Sequence, residues 1–249
     1  MREPRAPSSI VMRLDQAVAA RFPQYSRRKA RDLIASRQVL VNDRPVAVAS
    51  RNVEDSDRIA VIDDLPPFDI IRESAEWVAV NKPAGLPTQP PADRSARSLE
   101  ELLRVKYPEI YLIHRIDTPA SGVVLFARTR QYAARLSELF AARSVRKLYL
   151  VRATGSTAIE QELTIETPID GKEAITIVRP LRGDLLEVEI RTGRTHQIRR
   201  HLASIGLPLL GDRRYGGAAA PRLMLHAWKL ELADVGELIA PPPESFGLL

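Results

Sequence analysis

The chain has 249 residues, 45% of them hydrophobic, and a formal net charge of +6. That length supports one large or two modest globular domains, and no apolar run approaches the roughly 20 residues that cross a bilayer. The absence of cysteine excludes a disulfide framework and a thiolate metal site, and the opening MREPRAPSSI lacks the apolar core of a secretory signal, so a cytoplasmic, membrane-free protein is expected.

The charge is unevenly placed. Residues 1–62 hold twelve Lys and Arg against seven Asp and Glu, a net of +5, whereas residues 63–249 hold 25 against 24. A basic module on a nearly neutral body is the pattern of a polyanion binder. Within that module the spacing predicts two short helices: RLDQAVAAR (13–21) with Leu14 and Val18 inward, and RRKARDLIASR (27–37) with Leu33 and Ile34 on one face and Ser26 as N-cap. Arg27, Arg28, Lys29, Arg31 and Arg37 cover much of the rest of the second helix and form a phosphate-facing candidate set. VLVNDRPV (39–46) reads as a hairpin and DRIAVI (57–62) as a further strand. This order, and SRRKARDLIASRQVLVNDRPV above all, resembles the S-four RNA-binding domain over residues 12–62. The expected module spans 10–63.

DDLPPFD (63–69) pairs two prolines with acidic residues and reads as a stiff linker to a second domain over 70–249. There WVAVNKPAGLPTQPP (77–91) starts as a buried strand and breaks into a loop carrying Lys82. HRIDTPASG (114–122) places His114, Arg115 and Asp117 before a turn that runs into the apolar VVLFA. Taken alone, Asp117 is most simply a turn-capping aspartate. RQYAARLSELFAAR (130–143) is an amphipathic helix with Ala133, Leu136, Leu139 and Phe140 on one face, and KLYLVRATG (147–155) and LLEVEIRTG (185–193) alternate as strands.

RTHQIRRHLASIGLP (194–208) predicts a helix that packs Ile198, Leu202 and Ile205 inward and ends at Gly206. Arg199 leaves that helix near its buried flank, where a carboxylate must meet it, and Asp117 is raised as the partner. His196 and His201 stand five apart, not the four that aligns two ligands on a helix, so no metal is expected.

HRIDTPASG, RKLYLVRATG and RTGRTHQIRRHLASIGLPLLGDRRYG, in this order, resemble the three motifs of the RluA family of pseudouridine synthases, with NKPAGLP, RLMLHAWKLEL and APPPESF in support. The resemblance covers nearly all of 70–247. It implies an α+β fold, with a mixed and mostly antiparallel central sheet flanked by helices. It also implies that Asp117 is the catalytic aspartate, Tyr149 the aromatic that stacks on the target uracil and Arg199 the ion-pair partner of Asp117. Arg115 is then expected beside the flipped nucleotide, with His114, Arg194, His196 and Lys82 completing the substrate-facing set. Pro119 and Ala120 depart from the family's usual residues after the aspartate, and LADVGELIAPPP lacks the usual His-Pro.

Isomerising uridine to pseudouridine is redox-neutral, so no cofactor, nucleotide or metal is expected, in keeping with a sequence that has no P-loop, GxGxxG turn or HExxH. The expected partner is structured RNA, with large-subunit ribosomal RNA ahead of transfer RNA, and the expected state a monomer. Two other functions stay open: an RNA-binding protein without catalysis, and a nucleoside hydrolase or glycosidase. The latter needs a second carboxylate roughly 5–9.5 Å from the first, for which Asp212 in LLGDRRYG is the nearest candidate, though a turn residue by default.

Overall fold

The computed structural model describes residues 11–35, 37–42, 44–61, 68–92, 96–107 and 109–247. The linker prolines of DDLPPFD, the opening decapeptide and Asp43 of the hairpin turn lie outside the described residues. The chain divides into two compact units, residues 1–65 with 89–108, and residues 66–88 with 109–249.

The first unit contains β1 (Val11–Arg13), α1 (Leu14–Arg21), α2 (Arg27–Ala35), β2 (Val39–Val41), β3 (Arg44–Val46), β4 (Asn52–Glu54), β5 (Ile59–Val61) and α3 (Leu99–Lys106). β3, β2 and β5 form an antiparallel sheet and β1 pairs with β4. The core gathers Leu14, Ala17, Val18, Ala30, Leu33, Ile34, Val39, Val41 and Val53, which includes the four apolar residues expected from helical spacing. Ser26 caps α2, its Oγ accepting the Lys29 N–H at 3.2 Å. Ser98 and Glu101 form a reciprocal capping box at the start of α3.

Arg37 is where expectation and structure part. α2 ends at Ala35, Arg37 adopts a left-handed backbone (φ 57°), and its side chain turns inward to pair with Glu101 of α3. It is buried, 4% exposed, so it does not stand on the outward face with Arg27, Arg28, Lys29 and Arg31, all four of which are exposed.

The second unit contains β6 (Asp69–Glu73), β7 (Trp77–Lys82), β8 (Tyr111–Leu112), β9 (Ser121–Ala127), α4 (Arg130–Ala141), β10 (Arg146–Arg152), β11 (Leu163–Ile165), β12 (Thr176–Pro180), β13 (Leu185–Ile190), α5 (Gln197–Ser204), β14 (Leu225–Leu232) and β15 (Gly236–Ile239). Its sheet runs β11-β12-β13-β10-β14-β9-β7-β6, with β15 beside β14 and β8 beside β9. All pairings are antiparallel except β9 with β14. The fold is therefore α+β, with a mixed, mostly antiparallel sheet, α4 packed on β9 and α5 on β12.

β9 reads SGVVLFA and every residue of it is buried, as a central strand covered on both faces requires. Its entry into the sheet depends on Gly122: φ is +119°, and a Cβ there would stand 2.2 Å from the Ala227 carbonyl oxygen. The close parallel approach at Gly122 and Ala227 brings the turn before β9 to the middle of the sheet.

Candidate active site

The turn carrying Asp117 is held from below by the loop after β7. Thr88 Oγ1 donates to the Ile116 carbonyl at 2.9 Å and the Gly85 N–H donates to the Thr118 carbonyl at 2.8 Å. Lys82, wholly buried, places Nζ 2.7–3.2 Å from the carbonyl oxygens of Pro83, Leu86, Thr118 and Ala120. Burial first, and the charge of Arg222 second, pull this lysine from 10.5 down to about 7 against the opposing pull of Asp117. Lys82 is thus a clasp on the turn and does not line the cleft above it. Pro119 and Ala120 fit the same turn, which closes with the Ala120 N–H donating to the Asp117 carbonyl at 3.0 Å.

His114 is also turned away. Its Nε2 accepts the Leu125 N–H at 3.0 Å and its ring stacks on Phe140 at 4.8 Å. Burial, with Lys147 adding to it, drives the imidazole down to about 3, so it is neutral and structural.

The cleft above the turn encloses about 640 Å³ with its open mouth included, and Arg115, Asp117, Tyr149, Arg194, His196 and Arg199 all line it. Tyr149 arrives from β10 where the register against β14 slips between Leu148 and Tyr149, an irregularity of the kind that re-aims a side chain beside a site. Burial, reinforced by the charge of Asp117, raises its phenol above the ordinary value, so the ring is neutral.

Arg199 arrives from α5. The helix is shorter than its sequence pattern, because the residues before it are spent on a loop tied down by Gln197. The Gln197 side chain accepts from Thr192 Oγ1 (2.8 Å) and the Arg194 N–H (3.0 Å), and donates to the Ile175 carbonyl (2.9 Å) and Thr176 Oγ1 (3.0 Å). His196 then takes a left-handed backbone (φ 55°) and the helix starts after it. At the far end the Gly206 N–H reaches the Ala203 carbonyl and the Leu207 N–H the Leu202 carbonyl, a Schellman closure. Ile198 and Leu202 are buried as expected, but Ile205 falls past the last turn and is 40% exposed.

Arg199 Nη1 donates to Asp117 Oδ2 at 3.1 Å, so the helix and the distant turn do meet. The guanidinium also forks onto Asp212, Nε to Oδ2 at 2.7 Å and Nη2 to Oδ1 at 2.8 Å. Burial works against the charge of Arg199, yet the two carboxylates outweigh it and raise the guanidinium's affinity for its proton. Tyr215 lies under the same group, 5.0 Å from guanidinium carbon to ring centre, and bonds His196 Nδ1 at 2.9 Å. His196 Nε2 stands 3.9 Å from Asp117 Oδ2; burial, aided by Arg199 and Arg214, holds it below its usual value and neutral. His201, by contrast, is a core residue held between Thr176 Oγ1 and the Thr167 carbonyl, each at 2.9 Å.

Sequence reasoning missed Gln197 and Tyr215 and left Asp212 as a turn residue. The available signal was a glutamine inside the charged run THQIRRH, where only a buried hydrogen-bonding duty suits it.

The comparisons with known proteins place the chain in a family. The RNA pseudouridylate synthase family model matches residues 76–204, just over half the chain, and the S4 domain model matches residues 12–59. The ribosomal large subunit pseudouridine synthase D of Xylella fastidiosa is 33% identical over 240 residues, covering 83% of this chain and 72% of that protein. Its namesake from Haemophilus influenzae is 29% identical over 295 residues, covering 96% and 90%. Among solved structures, human RNA Pseudouridylate Synthase Domain Containing 1 superimposes with a TM-score of 0.61 at 26% identity, covering 71% of this chain and 84% of that one.

Proposed function

Because the chain belongs to the RNA pseudouridylate synthase family, enzymes that isomerise uridine to pseudouridine, we propose that it acts on uridine in large-subunit ribosomal RNA with Asp117 as its catalytic carboxylate. The reading is carried by one observation: a carboxylate held by a buried arginine at 3.1 Å, in a cleft that also presents a neutral tyrosine ring. The names of the bacterial relatives support the choice of RNA.

The reaction breaks the bond between the ribose anomeric carbon and N1 of uracil, turns the base, and rejoins it through carbon five, from which a proton leaves. Asp117 serves either as nucleophile at the anomeric carbon or as base on the neighbouring ribose proton, and both roles need it ionised. Arg199 meets it with the opposite charge at 3.1 Å. Tyr149 offers a flat face on which the detached uracil turns without escaping, and a base stacked in a helix reaches it only after flipping out. Arg115, exposed, and Arg194, whose Nε donates to the Glu173 carbonyl at 2.8 Å, both line the cleft and are the cations proposed to meet the phosphates of the flipped nucleotide. The reaction is redox-neutral and its steps call for no hydride carrier.

In the N-terminal module Arg27 and Arg31 are tied to buried Asp15 at 3.1 and 3.0 Å. Arg28 and Lys29 have exposed side chains with no such tie among the described residues, so they are the phosphate contacts of this face.

Mapping pseudouridines in RNA from cells lacking the protein tests the reading. The expected result is loss at one or a few positions of large-subunit ribosomal RNA, restored by the wild-type protein and not by Asp117→Ala. Loss confined to transfer RNA would overturn the choice of substrate, and restoration by Asp117→Ala would overturn the role of Asp117.

A further inference from the structure

Asp212 holds Arg199 in a way that the catalytic reading leaves unused. A guanidinium can clasp a carboxylate through two parallel N–H groups, which is its strongest mode. Here the clasp goes to Asp212, 1% exposed at its side chain, and Asp117, 23% exposed, receives the single remaining Nη1 bond on Oδ2. Among the described residues nothing donates to Oδ1 of Asp117, so that oxygen faces the cleft unencumbered.

Asp212 is itself fixed. Its Oδ1 accepts the N–H groups of Arg214 (3.2 Å) and Tyr215 (3.3 Å), and its carbonyl accepts the Gly217 N–H at 2.9 Å. The turn is pressed against the strand that leads into β14, since a Cβ on Gly211 would stand 1.9 Å from the Arg222 carbonyl oxygen. Tyr215, on the same turn, closes the other side of the guanidinium. Freed from Asp212, Arg199 would have its Nε and Nη2 donors to spend on the nearest remaining anion, which is Asp117.

We propose that Asp212 is a positioning residue that reserves one edge of Arg199, so that Asp117 stays bonded through one oxygen and keeps the other free to react with the ribose. The inference rests on the catalytic reading of Asp117. The other groups near Asp117 are His196, Tyr149 and, through the turn, Lys82.

The test is steady-state tritium release from uracil-labelled RNA by Asp212→Asn, compared with wild type. Asp212→Asn is expected to lower kcat about tenfold or more with KM within about twofold. Asp212→Glu, which keeps both acceptor oxygens and the charge, is expected to retain kcat within about threefold. In an Arg199→Lys background the Asp212→Asn change should cost little more, because the two residues act as one unit. If Asp212→Asn does not fold, Asp212→Ser takes its place with the same expectations. A folded Asp212→Asn or Asp212→Ser protein with wild-type kcat, beside an inactive Asp117→Asn, overturns the role of Asp212 alone. Turnover by Asp117→Asn overturns the catalytic reading on which it rests.

Discussion

Arg199→Lys is the most informative single substitution in the catalytic cleft. The charge survives, but the fork does not: three N–H bonds at 2.7, 2.8 and 3.1 Å converge on two carboxylates, and an ammonium without the planar fork can keep about one of them. Hydrogen bonds to charged groups contribute roughly 1.5–3 kcal/mol each, so losing two removes about 3 kcal/mol or more. For a protein of this size that is a fall in Tm of roughly 6–12 °C. If half of the loss also appears in the transition state, kcat falls about tenfold. Calorimetry and tritium release from uracil-labelled RNA read the two numbers on one preparation. Should Arg199→Lys keep both its Tm and its kcat, the fork would be idle and positive charge alone would explain the site.

Three further predictions concern the supports of the site and the N-terminal module. Lys82, held by burial at about 7 against its ordinary 10.5, binds fewer protons folded than unfolded between those pH values, so stability rises with pH across that window. From pH 7 to 9 the rise is roughly 2–3 kcal/mol, and urea titrations of Lys82→Met should show it flattened. Asp15 gives the same sign from a different cause: burial resists its charge, but the bonds from Arg31, Arg13 and Arg27 win and hold the carboxyl at about 2. Its contribution, about 2 kcal/mol, is complete above about pH 4 and lost as pH falls through 2, a dependence that Asp15→Asn should abolish in acid unfolding followed by circular dichroism. Finally, reversing Arg28 and Lys29 to Glu should weaken RNA binding and lower the slope of log affinity against log salt by about one for each phosphate no longer neutralised, with unchanged thermal stability.

Much of the fold and site is legible in the sequence because the signals are local. Leu14, Val18, Leu33 and Ile34 follow helical spacing and all are buried, and β9 announces itself as an uninterrupted apolar run. The meeting of Asp117 with Arg199 is legible for another reason, that a guanidinium on a buried flank needs an anion. What stays hidden depends on where a helix stops or which way a loop turns. Arg37 continues the basic pattern of α2, yet two residues beyond the helix end a left-handed backbone sends it inward to Glu101. Ile205 continues the apolar stripe of α5 but is its C-cap, past the last helical residue, Ser204. His114 directly precedes the cleft-lining Arg115, Ile116 and Asp117, yet its ring turns to Leu125 and Phe140, and the buried Lys82 spends its ammonium on carbonyls that include those of the turn. Asp212 gives no sequence sign of its grip on Arg199, because that bond is made by a turn folding back on the helix that precedes it.

The catalytic role of Asp117 is tested most directly by single-turnover tritium release from RNA by Asp117→Asn, a change that keeps the shape of the side chain and removes its charge. The expected result is RNA bound with near wild-type affinity and no tritium released above background. Tritium released at the wild-type rate, with pseudouridine formed in step, would contradict that role.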